Sequence, residues 1–114
     1  MPSEPILRTS HKARGMALAT GVVLGFAVFA AQAGDPEAGA GLVQSCVACH
    51  GDEGRSQIDR YPSLAGEDEE FLFEEMKAFR DGDRQDPEMT PQVARFDDQQ
   101  LADIAAYFAA QDPE

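Results

Sequence analysis

The sequence predicts a small all-α domain of three main helices joined by loops. Apolar residues recur at helical spacing in three stretches, near residues 36–46, 67–80 and 98–111. Each stretch is bounded by capping residues, glycine or proline. No run alternates apolar and polar residues as a strand of any length requires, and there is no internal repeat or low-complexity tract.

The first third of the chain stands apart from that pattern. Residues 1–15 carry Arg8, Lys12 and Arg14 against a single Glu4, Met16 to Ala31 runs without a charge, and Ala31-Gln32-Ala33 follows. A basic start, an apolar middle and a small-x-small end predict a secretory signal peptide over 1–33, cleaved after Ala33. The competing reading is an uncleaved membrane anchor. The apolar run is near the lower limit for spanning a bilayer, and Gly21 and Gly25 lie within it. The predicted domain is then 34–114. It holds six basic residues against 20 acidic ones, a formal charge of −14 compared with −12 for the whole sequence. So acidic a chain is a poor partner for nucleic acid.

Asp35 is a good N-cap, Pro36 suits the first helical position, and Glu37 faces the positive helix end. A helix from about 36 to 46 is expected, with Ala38, Leu42 and Val43 on one side. Gly51 and Gly54 break it, and residues 51–63 read as a loop. In the second helix, 67–80, Leu72, Met76 and Phe79 fall at i, i+4 and i+7, and Phe71 widens the stripe. Gly82 is the expected stop. Residues 83–96 read as a second loop holding Pro87, Met89 and Pro91. The last helix spans about 98–111, with Asp97 and Gln100 as the two halves of a capping box. Leu101, Ile104, Ala105 and Phe108 form its apolar face, with Tyr107 at the edge.

Where the first helix meets the first loop the sequence reads Cys46-Val47-Ala48-Cys49-His50. C-x-x-C-H is the attachment pattern for c-type haem. On a helix, Cys46 and Cys49 share one face at i and i+3, with His50 beside them. Two thiols so placed can form thioethers to the two vinyl groups of one porphyrin, and the imidazole can reach the iron as proximal ligand. Val47 and Ala48 are small enough to let the porphyrin edge approach. Competing readings are a redox C-x-x-C, although no strand precedes the motif; a zinc site, although two cysteines and one nearby histidine fall short of about four ligands; and chance. A domain of 81 residues (114 less the 33 of the leader) buries a modest core, which a covalent haem would staple.

The sixth ligand narrows by elimination. His50 is the only histidine outside the predicted leader, since His11 lies within it, and only Met76 and Met89 remain as methionines. Met76 sits on the apolar stripe of a helix, where packing explains it. Met89 lies in a proline-flanked stretch that can lay a thioether over the distal face. Met89 is the preferred candidate and Met76 the alternative.

With these segments in view, the chain resembles a class I cytochrome c, and most closely the short bacterial single-haem type related to two-haem periplasmic cytochromes. The resemblance covers nearly all of 35–111. It is carried by AGAGLVQSCVACHG, YPSLAG, FRDGDR, the Met89-Thr90-Pro91 stretch and DDQQLADIAAYFAAQ, in that order. It implies the small class I cytochrome c fold, wrapped around one haem c held through Cys46 and Cys49. It implies His50 and Met89 as axial ligands and Pro62 as the carbonyl that accepts the histidine ring N–H. It also matches Gly39 and Leu42 to first-helix positions that cross the last helix near Tyr107 and Phe108. Glu67, Glu75 and Met76 depart from residues common among relatives; these changes make the protein more acidic and touch no ligand. Tyr61, Arg55, Arg60, Arg80 and Arg84 are candidate partners of the haem propionates.

A six-coordinate haem has no open position for a small-molecule substrate, so the sequence predicts an electron-transfer protein rather than an enzyme. The expectation is a periplasmic one-electron carrier between a respiratory donor and a terminal oxidase or reductase. Its redox protein partners would present a basic docking patch. It would touch the membrane only if the N-terminal segment were retained. The alternatives are a dedicated cytochrome subunit of a periplasmic dehydrogenase complex, and a gas-binding haem sensor with a labile methionine.

Overall fold

The computed structural model describes residues 3, 15–25 and 33–113. The predicted leader lies mostly outside the described residues; residues 15–25 have no regular secondary structure and are exposed. No helix among the described residues is long and apolar enough to cross a membrane.

The fold is built outward from its last helix, Asp98–Ala109 (here α5). Asp97 accepts from the N–H of Gln100 at 2.8 Å, and the Gln100 side chain accepts from the Asp97 N–H at 3.0 Å, which completes the expected capping box. Leu101, Ile104, Ala105 and Phe108 are at most 1% exposed, so the stripe read from the sequence is the centre of the core. Two helices pack on α5: α1 (Pro36–Ala40) and α3 (Glu69–Asp81). The motif helix α2 is Gln44–His50, and a short α4, Met89–Val93, packs on α3. The described residues contain no strand.

Three expectations are corrected. The first helix does not run from 36 to 46. It ends at Ala40, and the N–H groups of Gly41 and Leu42 turn back to Ala38 O (3.2 Å) and Gly39 O (2.9 Å). The cause is the Gly39-Ala40-Gly41 stretch, a poor helix former whose first glycine is pressed against α5. A Cβ on Gly39 would lie 2.0 Å from the Asp103 carbonyl oxygen, so this crossing requires glycine. The chain therefore bends after its crossing, and α2 sets off separately with Val43 as its N-cap.

Phe71 is not a core residue. It is 53% exposed, while Leu72 and Phe79 are buried and Phe73, on the other flank of α3, packs against the core. The stretch around Met89 is not a plain loop either. Asp86 organises it into α4, as described below. The expected stop of α3 is present, with Gly82 left-handed at φ 88°.

Candidate functional site

Helix α2 presents Cys46 and Cys49 one turn apart, and both thiols are free. Cys46 is half-buried against the core beside Val47; Cys49 is exposed. Burial pushes the Cys46 thiol above its ordinary pKa, with the Ser45 hydroxyl and the Arg95 guanidinium acting in the opposite sense. His50 closes the helix and is buried, at 7% exposed.

After His50 the chain reverses at Gly51, whose φ is 84° and whose added Cβ would lie 2.0 Å from Arg55 O. A 3₁₀ turn, Asp52–Gly54, follows, and Gly54 O accepts from the N–H groups of Leu64 (2.7 Å) and Ala65 (3.2 Å). The loop thus returns to α2 and sets Pro62 O 2.8 Å from His50 Nδ1. A carbonyl oxygen only accepts, so Nδ1 carries the ring proton and Nε2 keeps its lone pair for a metal. Such a bond also fixes the orientation of the ring.

Met89 opens α4. The Asp86 carboxylate accepts from the N–H groups of Glu88 and Met89, each at 2.8 Å, and Thr90 Oγ1 accepts from the Asp86 N–H at 3.1 Å. The Met89 and Glu88 N–H groups hold the Asp86 carboxyl below its ordinary range. Glu88 pairs with Arg60, and the Tyr61 hydroxyl has its pKa raised first by burial and then by Glu88. The Tyr61 ring stands edge-on to His50 at 6.1 Å between centroids. Arg60-Tyr61-Pro62 therefore joins the two candidate ligand segments: Pro62 faces His50, and Arg60 and Tyr61 hold the residue before Met89. Met76 and Met89 are both half-buried against the same core. They differ in setting, Met76 in the middle of the 13-residue α3 and Met89 at the start of the five-residue α4.

The candidate propionate partners are already engaged. Arg55 pairs with Glu53 and donates to Asp112 O at 3.0 Å; Arg84 pairs with Glu75. Arg80 binds Asp81 (2.8 Å), Asp98 (2.6 Å) and Phe96 O (3.2 Å). Among the described residues no three His, Cys, Asp or Glu side chains converge into a metal cluster. The donor set fits a c-type haem: two free thiols on one face, an imidazole with Nε2 available, and a methionine on a separately braced segment. Leu64, Val47 and Met76 supply half-buried apolar surface packed on the core.

The Cytochrome c family model matches residues 36–111. The chain belongs to the cytochrome c family. A family member of this kind carries a covalent c-type haem with its iron, and Cys46 and Cys49 of this cytochrome c stand in the C-x-x-C-H pattern that binds it. It is 44% identical over 90 residues to cytochrome c4 of Pseudomonas aeruginosa, which covers 79% of this chain and 45% of that protein. Cytochrome c-554(548) of Halomonas halodenitrificans is 41% identical over 83 residues, covering 70% of this chain and 100% of the relative. A thiosulfate dehydrogenase electron acceptor of Stutzerimonas stutzeri is 36% identical over 70 residues, 59% of this chain and 32% of the relative. The crystal structure of reduced recombinant cytochrome c4 from Pseudomonas stutzeri superposes with a TM-score of 0.69 at 40% identity, over 72% of this chain and 48% of that one. The chain thus spans about half the length of the cytochromes c4 it matches.

Two residues of consequence were not singled out from the sequence. Asp103 is a buried carboxylate, 7% exposed, that accepts from the Asp35 N–H and from Gln99 Nε2, each at 2.8 Å. An acid inside an apolar helix face was the available signal. Asp86 organises the Met89 segment, and its signal was the tripeptide Asp-Pro-Glu, which occurs at 35–37, 86–88 and 112–114.

Proposed function

We propose that this cytochrome c is a periplasmic one-electron carrier, secreted behind a leader cleaved after Ala33. Its single haem is held by thioethers to Cys46 and Cys49 and ligated by His50 Nε2 and Met89 Sδ. The observation that carries the reading is the 2.8 Å contact from His50 Nδ1 to Pro62 O, one residue along from the two free thiols. It leaves one ring nitrogen for iron and holds the ring from behind. The haem supplies a one-electron change at iron. The chain's part is to orient the imidazole through Pro62, to brace Met89 through Asp86, and to bury the apolar faces against Val47, Leu64 and Met76. With haem bound, a soft thioether from Met89 would favour the ferrous state and raise the potential.

The exposed Cys49 side of α2 is the proposed point of electron exchange. With a formal charge of −14 after processing, six basic residues against 20 acidic, a partner with a basic patch gains encounter rate. Its electron-transfer rate should fall as ionic strength rises; a rate indifferent to salt refutes the electrostatic part. A second reading, a cytochrome subunit dedicated to one dehydrogenase, is favoured by the relative named a thiosulfate dehydrogenase electron acceptor. Co-purification with a catalytic subunit would establish it. The test of the carrier reading is a visible spectrum of the purified holoprotein, oxidised and reduced, with carbon monoxide added last. A reversible one-electron change and a ferrous spectrum unmoved by carbon monoxide are expected. A rapid shift would replace the carrier reading with gas binding.

A further inference from the structure

The Ala33–Gly34 peptide bond lies where the exposed chain meets the folded domain. Ala33 is exposed, but Gly34 is seated on α5. A Cβ added to Gly34 would lie 1.9 Å from Ala102 O and 2.8 Å from the Ala106 Cβ, so no larger residue fits without moving backbone. The Gly34 N–H donates to Oε1 of Glu69, the first residue of α3, at 3.1 Å. The next N–H, that of Asp35, donates to buried Asp103 of α5 at 2.8 Å. Two consecutive N–H groups are thus held by carboxylates from two different helices.

We infer that leader removal turns Gly34 into a clamp, its new α-ammonium pairing with Glu69 to fasten the mature N-terminus across α3 and α5. The inference rests on the processing step proposed above. A leader peptidase adds one water across the Ala33–Gly34 amide. The carboxylate stays on Ala33 and departs with the leader; the amine stays on Gly34 and is protonated. A single neutral donor becomes three donors bearing a positive charge, and a charged donor makes the stronger hydrogen bond. The carboxylate bonded to the Gly34 N–H is Glu69 from α3, and the next N–H, that of Asp35, is bonded to the carboxylate of Asp103 from α5. Glu69 also sits in the first turn of α3, where the helix dipole favours its negative charge. Gly34 therefore has two duties, to fit against the Ala102 carbonyl and to carry the charge.

The pH dependence has a definite sign. Carboxylates raise the folded-state pKa of an ammonium above its unfolded value, which is about 7.7–8.0 for an α-amino group. The clamp's stabilisation is complete below that value and is lost as pH rises through the folded one.

The experiment compares two forms of the holoprotein, one matured to begin at Gly34 and one secreted behind a leader that leaves Ala33 attached. Each is made with Glu69 and with Glu69→Gln, and unfolding is followed at pH 6 and pH 10. At pH 6 the unfolding equilibrium constant should be about threefold smaller for the Gly34 start, a size typical of a partly exposed ion pair. The gap should close in the Glu69→Gln pair and at pH 10. The mass of the naturally secreted protein should correspond to residue 34 onward. Equal stabilities at pH 6 would overturn the clamp alone. A gap that persists unchanged in Glu69→Gln would overturn its assignment to Glu69. A natural mass that begins at another residue would overturn the processing step itself.

Discussion

Asp35-Pro36-Glu37 and Asp86-Pro87-Glu88 are the same three residues, and their backbones make the same bonds. In each, one aspartate oxygen accepts from the N–H groups two and three residues on: 2.9 and 3.3 Å for Asp35, 2.8 and 2.8 Å for Asp86. In each, the aspartate carbonyl accepts from the fifth residue, Gly39 N at 2.9 Å or Thr90 N at 3.1 Å. They part at that fifth residue and at the aspartate's own N–H. Gly39 lies against the Asp103 carbonyl, and the Asp35 N–H reaches the Asp103 side chain. Thr90 instead turns its hydroxyl back onto the Asp86 N–H. One turn is a joint between helices; the other closes on itself. The self-contained turn opens α4 with Met89 on a segment that packs on α3.

Exchanging the fifth residues should break the comparison most visibly. Gly39→Thr forces a Cβ to within 2.0 Å of Asp103 O and 2.9 Å of the Tyr107 Cβ. The expected loss is about 3 kcal/mol or more, in the range of core overpacking, read from denaturant unfolding of the holoprotein. Asp103→Ala comes next. It leaves the Asp35 N–H unpaired beside the core and should cost about 2 kcal/mol, with the haem spectrum unchanged below the transition. Thr90→Val removes only the local acceptor. It should cost under about 1 kcal/mol, yet weaken the ferric signature of methionine ligation where Gly39→Thr and Asp103→Ala do not. Equal stability losses for Gly39→Thr and Thr90→Val would show that the two turns are one device used twice.

Acid sharpens the same contrast. The N–H groups of Met89 and Glu88 lower the Asp86 pKa, so its contribution is complete above the ordinary aspartate value of about 3.9 and is lost as pH falls through the lower folded value. An acid titration of methionine ligation should retain the bond below pH 3.9, and Asp86→Asn should abolish that acid limb. The smallest effect belongs to Arg60→Ala. Arg60 is 68% exposed in its pair with Glu88, and its loss should cost under about 1 kcal/mol, again by denaturant unfolding.

Much of the fold was legible because the decisive information is local. The Asp97–Gln100 box and the Leu101–Phe108 stripe need nothing but their own helix to be read. The break between α1 and α2 was not, because Gly39 and Gly41 interrupt a helix only once α5 presses on the first of them. Phe71 and Phe73 flank the Leu72 stripe on opposite sides, and only the placement of α3 decides which one packs. At the site, C-x-x-C-H names its chemistry within five residues. Asp103 has a local partner in Gln99, but its bond to the Asp35 N–H forms only when residue 35 arrives from 68 positions away. Asp86 is the opposite case. Its cap is as local as that of Asp35, but it was hidden in a stretch whose prolines read as loop.

Met89, rather than Met76, is the proposed iron ligand. The most direct measurement is the ferrous spectrum before and after carbon monoxide for the wild-type holoprotein, Met89→Ala and Met76→Leu. Wild type and Met76→Leu should not respond, and Met89→Ala should bind at once. A closed Met89→Ala beside an open Met76→Leu would contradict the account and move the distal ligand onto α3.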